Sequence, residues 1–470
     1  MPFRYGIAEM RDIPHIFVQL ECEINGQIQS GVSADSLIPK WFTKDPETSY
    51  QEDVDDMLSV IQTACQFAIE TSRVSTVFAL WQAIYIQQRE WAAEQGYPPL
   101  LWNFGVSLVE RAIIDAFCRA TGENFFNALR KNSLGIRLDE IHFILAGYQP
   151  ADLLPAHALK ITTARHTIGL SDPLTEEEIK DRDRLNDGLP QSLQANLKTY
   201  GLTHFKIKLS GGVAKDIYRL KRILNILNQN GRFYFTLDGN EQFQRVDEFK
   251  AFWGGLQGDG YLASNLRHLL YVEQPLHRDA ALCTQNQEPL RWWVDRPPMV
   301  IDESDSELDS LKIALDCGYS GTSHKNCKGI FKGIANACLL EHLRRTDPQR
   351  EYLLSGEDLA TIGPVALLQD LSMTAALGIK HVERNGQHYF RGLSMFPSEI
   401  QSRLLEHHPD LYQRREQGLI TLKIIKGKIS LKSVSKAPFG PDAEIDLERL
   451  TPLGKWSFST LSEETMEYNS

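Results

Sequence analysis

A parallel α/β barrel preceded by an α+β domain is the fold class this sequence predicts, and three observations carry it. Over roughly the first 130 residues, strand-like text gives way to helix-like text, the order of an α+β domain. From about residue 161, short apolar runs alternate with helical stretches to give seven or eight β-α units, the pattern of a closed parallel barrel. No glycine-rich phosphate loop follows the first of these runs, which disfavours an open doubly wound sheet. Ser210-Gly211-Gly212 is too short a glycine signal to carry a nucleotide.

The bulk properties agree. The chain has 470 residues, 42% hydrophobic and 24% charged. That is an ordinary globular balance, in a chain long enough to bury a core without disulfides. Its net charge is −11 with no long basic run, so neither nucleic acid nor an anionic membrane is expected as a partner. No window approaches about 18 apolar residues, so no membrane span is expected. The first residues lack a basic stretch followed by an apolar one, so no signal peptide is expected. Seven scattered cysteines without a C-x-x-C pair fit reduced thiols and a cytoplasmic location.

Taken in order, residues 15–24 are β-rich, and Asn25-Gly26 predicts a hairpin turn. Between 50 and 129 the apolar spacing is helical, as in Val54, Met57, Leu58 and Ile61. The barrel strands are predicted at 167–170, 204–209, 233–237, 269–272, 299–301, 318–323, 352–354 and 381–389. Helices are predicted between them, among them 214–227, 308–316, 333–345 and 364–377. Segments 135–160, 285–298 and 394–413 read as insertions or connections. Near the end, 419–425 and 429–434 around Lys426-Gly427 predict a hairpin that packs on the N-terminal domain, because a lone hairpin is marginal in water.

Barrel chemistry gathers at the C-terminal ends of the strands. Three successive ends carry an acid: Asp238, Glu273 and Asp302. One acid after a strand is usually a turn former or a helix cap. Three converging carboxylates repel one another unless a cation lies between them, and oxygen-only ligands favour a hard ion such as Mg²⁺. In Lys206-Ile207-Lys208 both lysines point to one side, and Phe205, Ile207 and Leu209 to the other. That alternation fits polar-in and apolar-out. Adjacent ammonium groups disfavour each other's protonation, which suits a base. Lys325 follows the sixth strand, across the barrel from the second.

The order K-x-K, D-x-N, E-Q-P, D-E-S and then lysine resembles the enolase superfamily. Within it the chain is similar to the mandelate racemase/muconate lactonizing enzyme family, on the muconate-lactonizing branch that carries a lysine on each face. The likeness spans most of the chain. It implies a modified TIM barrel, (β/α)7β, with an α+β capping domain built from both ends. The cap would take residues 1–135, ending in the helical pair over 97–129. The barrel would take 136–400, and 401–470 would return to the cap. Carried over residue by residue, Asp238, Glu273 and Asp302 would bind Mg²⁺, with Mn²⁺ as a substitute. Asn240 and Glu303 would support them. Lys206, Lys208 and Lys325 would be the catalytic lysines, with Lys206 tuning charge beside the other two. Lys40 and Trp41, in a mobile loop over 33–44, would set specificity. The implied activity is abstraction of the proton α to a substrate carboxylate through a metal-stabilised enediolate. Racemisation or epimerisation comes first, with dehydration of the o-succinylbenzoate-synthase type or cycloisomerisation as alternatives. The partner would be a small carboxylate, and the chain a homo-oligomer.

Some text departs from the family. The strand-six motif reads Lys325-Asn326-Cys327-Lys328-Gly329 with one glycine, so Lys328 competes with Lys325 as the acid/base. The 35 residues from Asp238 to Glu273 are long for one unit, and Gly258-Asp259-Gly260 marks an inserted loop. The seventh strand lacks the histidine that mandelate-racemase relatives use. Two other classes stay open: a metal-free glycoside hydrolase using acids such as Glu273 and Glu357, and a non-catalytic relative.

Overall fold

The computed structural model describes residues 1–5, 7–71 and 73–461. Two antiparallel hairpins open the chain: β1 (Phe3–Tyr5) with β2 (Ala8–Met10), and β3 (His15–Ile24) with β4 (Gln27–Ser36). Asn25 and Gly26 both take positive φ, 52° and 79°, the conformation that matches a tight turn to the twist of its strands.

Three long helices follow, each with a start signal. α1 (Tyr50–Glu70) begins at a Ser49–Glu52 capping box. α2 (Val77–Gln95) begins at Thr76, whose side chain accepts from Ala79 N, and stops at left-handed Gly96. α3 (Pro99–Thr121) begins on a proline and stops at left-handed Gly122. α3 is buried on nearly every side, because α1, α2 and the β3–β4 hairpin pack around it. A side chain at Gly31 of β4 would strike the α3 backbone at Ala112 and Ala116, so this close approach requires glycine.

The barrel consists of β5 (Ile161–Ile168), β6 (His204–Lys208), β7 (Tyr234–Asp238), β8 (Leu269–Glu273), β9 (Met299–Ile301), β10 (Gly321–His324), β11 (Leu353–Gly356) and β12 (His381–Glu383). Each pairs in parallel with the next, and β12 returns to β5, closing the barrel that the sequence predicts. Phe205, Ile207 and Leu209 join the apolar layer under the helices, while Lys206 and Lys208 are buried on the inner face.

Several boundaries differ from the sequence reading. β5 starts at Ile161, six residues before the expected 167. Its text is polar, yet Thr162, Thr163, Arg165, His166 and Thr167 are all buried. The eighth strand ends at Glu383, and Gly386–Tyr389 is a helical turn. Gly258-Asp259-Gly260 is a junction between helices Val246–Gly258 and Gly260–Asn265, and Asp259 caps the second. The extra helix accounts for the long third unit. Segment 285–298 is partly helical, over Thr284–Arg291. The C-terminal hairpin is also corrected. The Lys426-Gly427 turn forms, but β14 (Ile420–Leu422) pairs with β13 (Tyr412–Arg414), and β15 (Lys428–Ser430) pairs antiparallel with β5. The start of β5 projects as an unpaired edge, and β15 covers it. Further along, Phe439 lies on Phe125 at 4.4 Å and Phe458 on Tyr50 at 5.3 Å.

One apolar cluster joins the α1–α3 helices to the barrel helix Ile330–Thr346. A polar link reinforces it. Glu110 of α3 accepts from Ile330 N (2.8 Å) and Phe331 N (2.7 Å), satisfying open amides in the first turn of that helix. Asn103 Nδ2 donates to Lys328 O at 2.9 Å. Among the described residues no helix is long and apolar enough to cross a membrane. All seven cysteines are unpaired.

Candidate active site

Parallel register levels three of the expected residues. Lys208 lies opposite Asp238, and Asp238 opposite Glu273, at the ends of β6, β7 and β8. Asp302 follows β9 and Lys325 follows β10. All five are buried. Lys208 Nζ donates to Asp238 Oδ2 at 2.6 Å, and Lys325 Nζ to Asp302 Oδ2 at 2.6 Å. Strands two and six stand opposite each other in an eight-stranded barrel, so the two ammonium groups face one cavity from opposing walls.

Lys206 occupies the centre. Its Nζ lies 2.9 Å from Asp238 Oδ2, 2.8 Å from Glu273 Oε1, 2.9 Å from Glu357 Oε2 and 3.0 Å from Glu383 Oε2. Burial disfavours this ammonium, but the four carboxylates outweigh burial and hold its pKa well above the ordinary lysine value. Glu273 feels the converse. Burial, then the charges of Asp238 and Glu357, push its carboxyl well above the usual range.

On the sixth strand the two lysines separate. Lys325 lines the cavity and lies 4.5 Å from the ring centre of Trp41. Lys328 points into a closed polar nest, donating to Ser323 O (2.7 Å), Ser323 Oγ (2.8 Å) and Asp302 Oδ1 (3.2 Å), with Asp305 at 3.5 Å. Asp302 is buried between these lysines. Burial raises its pKa, and Lys325 and Lys328 reverse the shift to leave it far below the usual carboxylate range.

The backbone around the acids is held tightly. Asn240, Glu241 and Gln274 take positive φ, 41°, 64° and 34°, which non-glycine residues adopt rarely. Asn240 N donates to Asp238 Oδ1 at 2.9 Å. Gln274 Oε1 accepts from Asp302 N at 2.7 Å, so the glutamine of E-Q-P sets the position of the next acid. Glu303 is buried beside Asp302, and burial first, then the charges of Asp302 and Glu241, push its carboxyl up to about 7.

The cap closes the mouth. The remaining cavity is about 20 Å³, walled on the cap side by Phe3, Met10, Ile38 and Trp41. Arg278 donates to Trp41 O and Phe42 O at 2.9 Å each, and Lys44 Nζ donates to Asn240 O at 2.9 Å. These bonds tie the 33–44 segment to the barrel loops. Lys40 is not brought to the cavity. Its Nζ bonds Thr48 Oγ1 (2.6 Å) and Asp53 Oδ1 (3.2 Å), and the residue lines an outer groove of about 630 Å³.

The donors suit a hard divalent ion. All are oxygens, and Glu273 Oε2, Asn240 Oδ1 and Glu303 Oε2 are buried acceptors without a hydrogen-bond donor among the described residues. Among the described residues no three acidic, histidine or cysteine side chains form a ready metal cage. Ammonium groups stand among the acids instead: Lys206 between Asp238 and Glu273, Lys325 and Lys328 on Asp302.

In the sequence Glu357 enters only the glycoside hydrolase alternative, and Glu383 carries no expected role. Both follow the rule that found the other acids, since they stand at the ends of strands seven and eight. Lys206 fills the gap between Glu273 and Glu357, where a glycosidic oxygen would have to lie.

No family model matches the sequence, and no curated protein matches it. Solved structures do match. A mandelate racemase/muconate lactonizing enzyme from Bordetella bronchiseptica RB50 is 13% identical, covering 95% of this chain and 97% of its own, with a TM-score of 0.53. An enolase from Bradyrhizobium is 11% identical, covering 92% and 89%, with a TM-score of 0.52. A mandelate racemase/muconate lactonizing enzyme-like protein from Rubrobacter xylanophilus is 15% identical, covering 93% and 94%, with a TM-score of 0.50. The chain therefore shares the overall fold of these three structures, its closed parallel barrel included. At these identities the likeness speaks for the fold.

Proposed function

We propose that the chain is a Mg²⁺-dependent enzyme that abstracts the proton α to a substrate carboxylate and returns it on either face, a racemase or epimerase. The observation that carries this reading is the placement of Lys208 and Lys325 on opposing walls of one buried cavity, each paired with an acid that flanks Glu273. Asp238, Glu273 and Asp302 would hold the ion, and its charge would offset the negative charge that develops on the substrate carboxylate. The Bradyrhizobium enolase of the same fold was solved with magnesium and mandelic acid.

The chain's own residues supply the rest. Lys208 Nζ would take or give the α-proton on one face and Lys325 Nζ on the other. As they stand, Lys208 is ion-paired with Asp238 and Lys325 with Asp302, at 2.6 Å each. A dication held by those carboxylates would weaken the ion pairs, which would leave Lys208 or Lys325 free to accept the α-proton. Phe3, Met10, Ile38 and Trp41 keep water out. These walls favour a carboxylate with an apolar α-substituent. Asp358, the acid at the cavity edge, is already filled by Thr361 N (2.8 Å), Thr361 Oγ1, Asn385 N (2.8 Å) and Gly386 N (3.1 Å), so it offers little to a substrate ammonium.

The test is proton–deuteron exchange in D₂O with Mg²⁺ and a panel of 2-substituted carboxylates, beside Mg²⁺ calorimetry. Deuterium should appear at the α-carbon. The D238N/E273Q/D302N variant should lose Mg²⁺ binding and exchange together. Unchanged Mg²⁺ binding in that variant sinks the reading.

A further inference from the structure

The four acids around Lys206 are not equivalent. Glu357 and Glu383 are anchored from behind. Glu357 Oε1 accepts from Arg165, Ser355 and Tyr271 (3.1 Å for Tyr271), leaving Oε2 for Lys206. Glu383 Oε1 accepts from Thr167 Oγ1 at 2.5 Å, and its Oε2 accepts from Asp358 N at 2.9 Å as well as from Lys206. Among the described residues, Glu273, on the other side, has Lys206 alone on Oε1 and nothing on Oε2. Among the described residues the shared oxygen of Asp238 has only the two lysines.

An ammonium has three N–H donors, and here four carboxylate oxygens compete for them. Two belong to rigid partners on strands seven and eight. Two belong to the acids that would hold a metal. A dication at Asp238 and Glu273 would draw both from Lys206. In a fully buried site an ammonium stripped of every partner is strongly disfavoured. Lys206 would keep two anchored partners and remain satisfied.

We propose that Glu357 and Glu383 are positioning residues that clamp the Lys206 ammonium and thereby set the affinity of the Asp238–Glu273 side for a divalent metal. The inference rests on the metal-dependent reading above. Without the clamp, Lys206 turns all its donors onto Asp238 and Glu273 and competes with the ion. The clamp also explains two buried acids on strands seven and eight that the proposed chemistry does not otherwise use.

The test is Mg²⁺ calorimetry on the full chain, with circular dichroism to confirm folding. E383Q keeps the shape of Glu383 and removes its charge. It should bind Mg²⁺ on the order of tenfold or more weakly, as outer-sphere substitutions do. K206M/E383Q removes the competing ammonium with the acid, preserves net charge, and should regain at least the parent affinity. Parent-like or tighter binding by E383Q overturns the clamp. So does a K206M/E383Q protein as weak as E383Q, which would trace the loss to the missing negative charge alone. If K206M/E383Q does not fold, E357Q is measured beside E383Q. Weakening in both supports the clamp, and parent-like binding in either overturns it. A parent that binds no Mg²⁺ overturns the metal reading and the clamp together, so the two failures are told apart.

Discussion

The two walls of the cavity each carry two lysines, yet they are braced from different places. On the strand-two wall, Lys206 is held by acids from four other barrel strands, and Lys208 stands above it on Asp238. On the strand-six wall, Lys325 lies under Trp41 of the cap, and Lys328 is locked beneath by Asp302, Ser323 and Asp305. Glu110 and Asn103 of α3 then hold the turn and helix that follow. The first wall is therefore a property of the barrel, and the second belongs jointly to barrel and cap. Cap movement should disturb chemistry on the Lys325 face while leaving the Lys208 face standing.

The largest expected effect comes from deleting each pocket lysine. Lys208→Ala and Lys325→Ala should each lower α-deuterium exchange on the order of 10²–10⁴-fold for one stereoisomer and spare the other. Chiral analysis of the exchanged product reads this directly. If one variant loses both isomers while the other loses none, one wall does all the proton transfer and a one-base elimination takes over as the reading. Lys328→Ala provides the register check: loss of exchange there, with Lys325→Ala active, would mean the two strand-six lysines have been assigned in the wrong order.

The bracing by the cap gives a pH signature of intermediate size. Burial first, opposed by the Phe331 and Ile330 amides, pushes the Glu110 carboxyl from 4.5 up to about 7. A raised carboxyl pKa means that the folded state binds this proton more tightly than the unfolded state. Its stabilising contribution is complete below about pH 4.5 and is lost as pH rises through about 7. Glu110→Gln removes that slope. Relative to the parent, the variant should gain stability between those limits, by at most roughly 3 kcal/mol. Urea melts of both proteins at pH 5 and pH 7.5 check the sign; a parallel pair of curves would show that Glu110 titrates normally and that the brace is weak.

The smallest effect concerns the lid. Trp41→Phe keeps an aromatic cover but weakens the contact with the Lys325 ammonium. A double-mutant cycle with Lys325→Met should return a coupling of about 0.5–1 kcal/mol in thermal denaturation. A coupling of zero would detach the cap from the strand-six wall and restore symmetry between the walls.

Much of this was legible in the sequence because it is local. Period-two alternation placed Lys206 and Lys208 on the face opposite Phe205 and Ile207, and the strand ends marked Asp238, Glu273 and Asp302. Asn25-Gly26 announced its hairpin turn. Where local signals failed, the reason is also physical. β5 is polar because its side chains are satisfied inside the barrel by distant partners, so its apolar pattern is short.

What the sequence determined by itself is therefore the order of elements, the closed barrel and the inventory of charges at its strand ends. Tertiary structure alone decided who meets whom. Lys206 meets Glu383 across 177 residues of chain and Glu357 across 151. Lys325 took the cavity and Lys328 the nest, Lys40 turned to Asp53 in the cap, and β15 left its hairpin neighbour for the edge of β5. Backbone periodicity is fixed by near neighbours, so it can be read along the chain. The pairing of buried charges is fixed by which groups share a closed interior once the barrel is shut, and no local pattern encodes that.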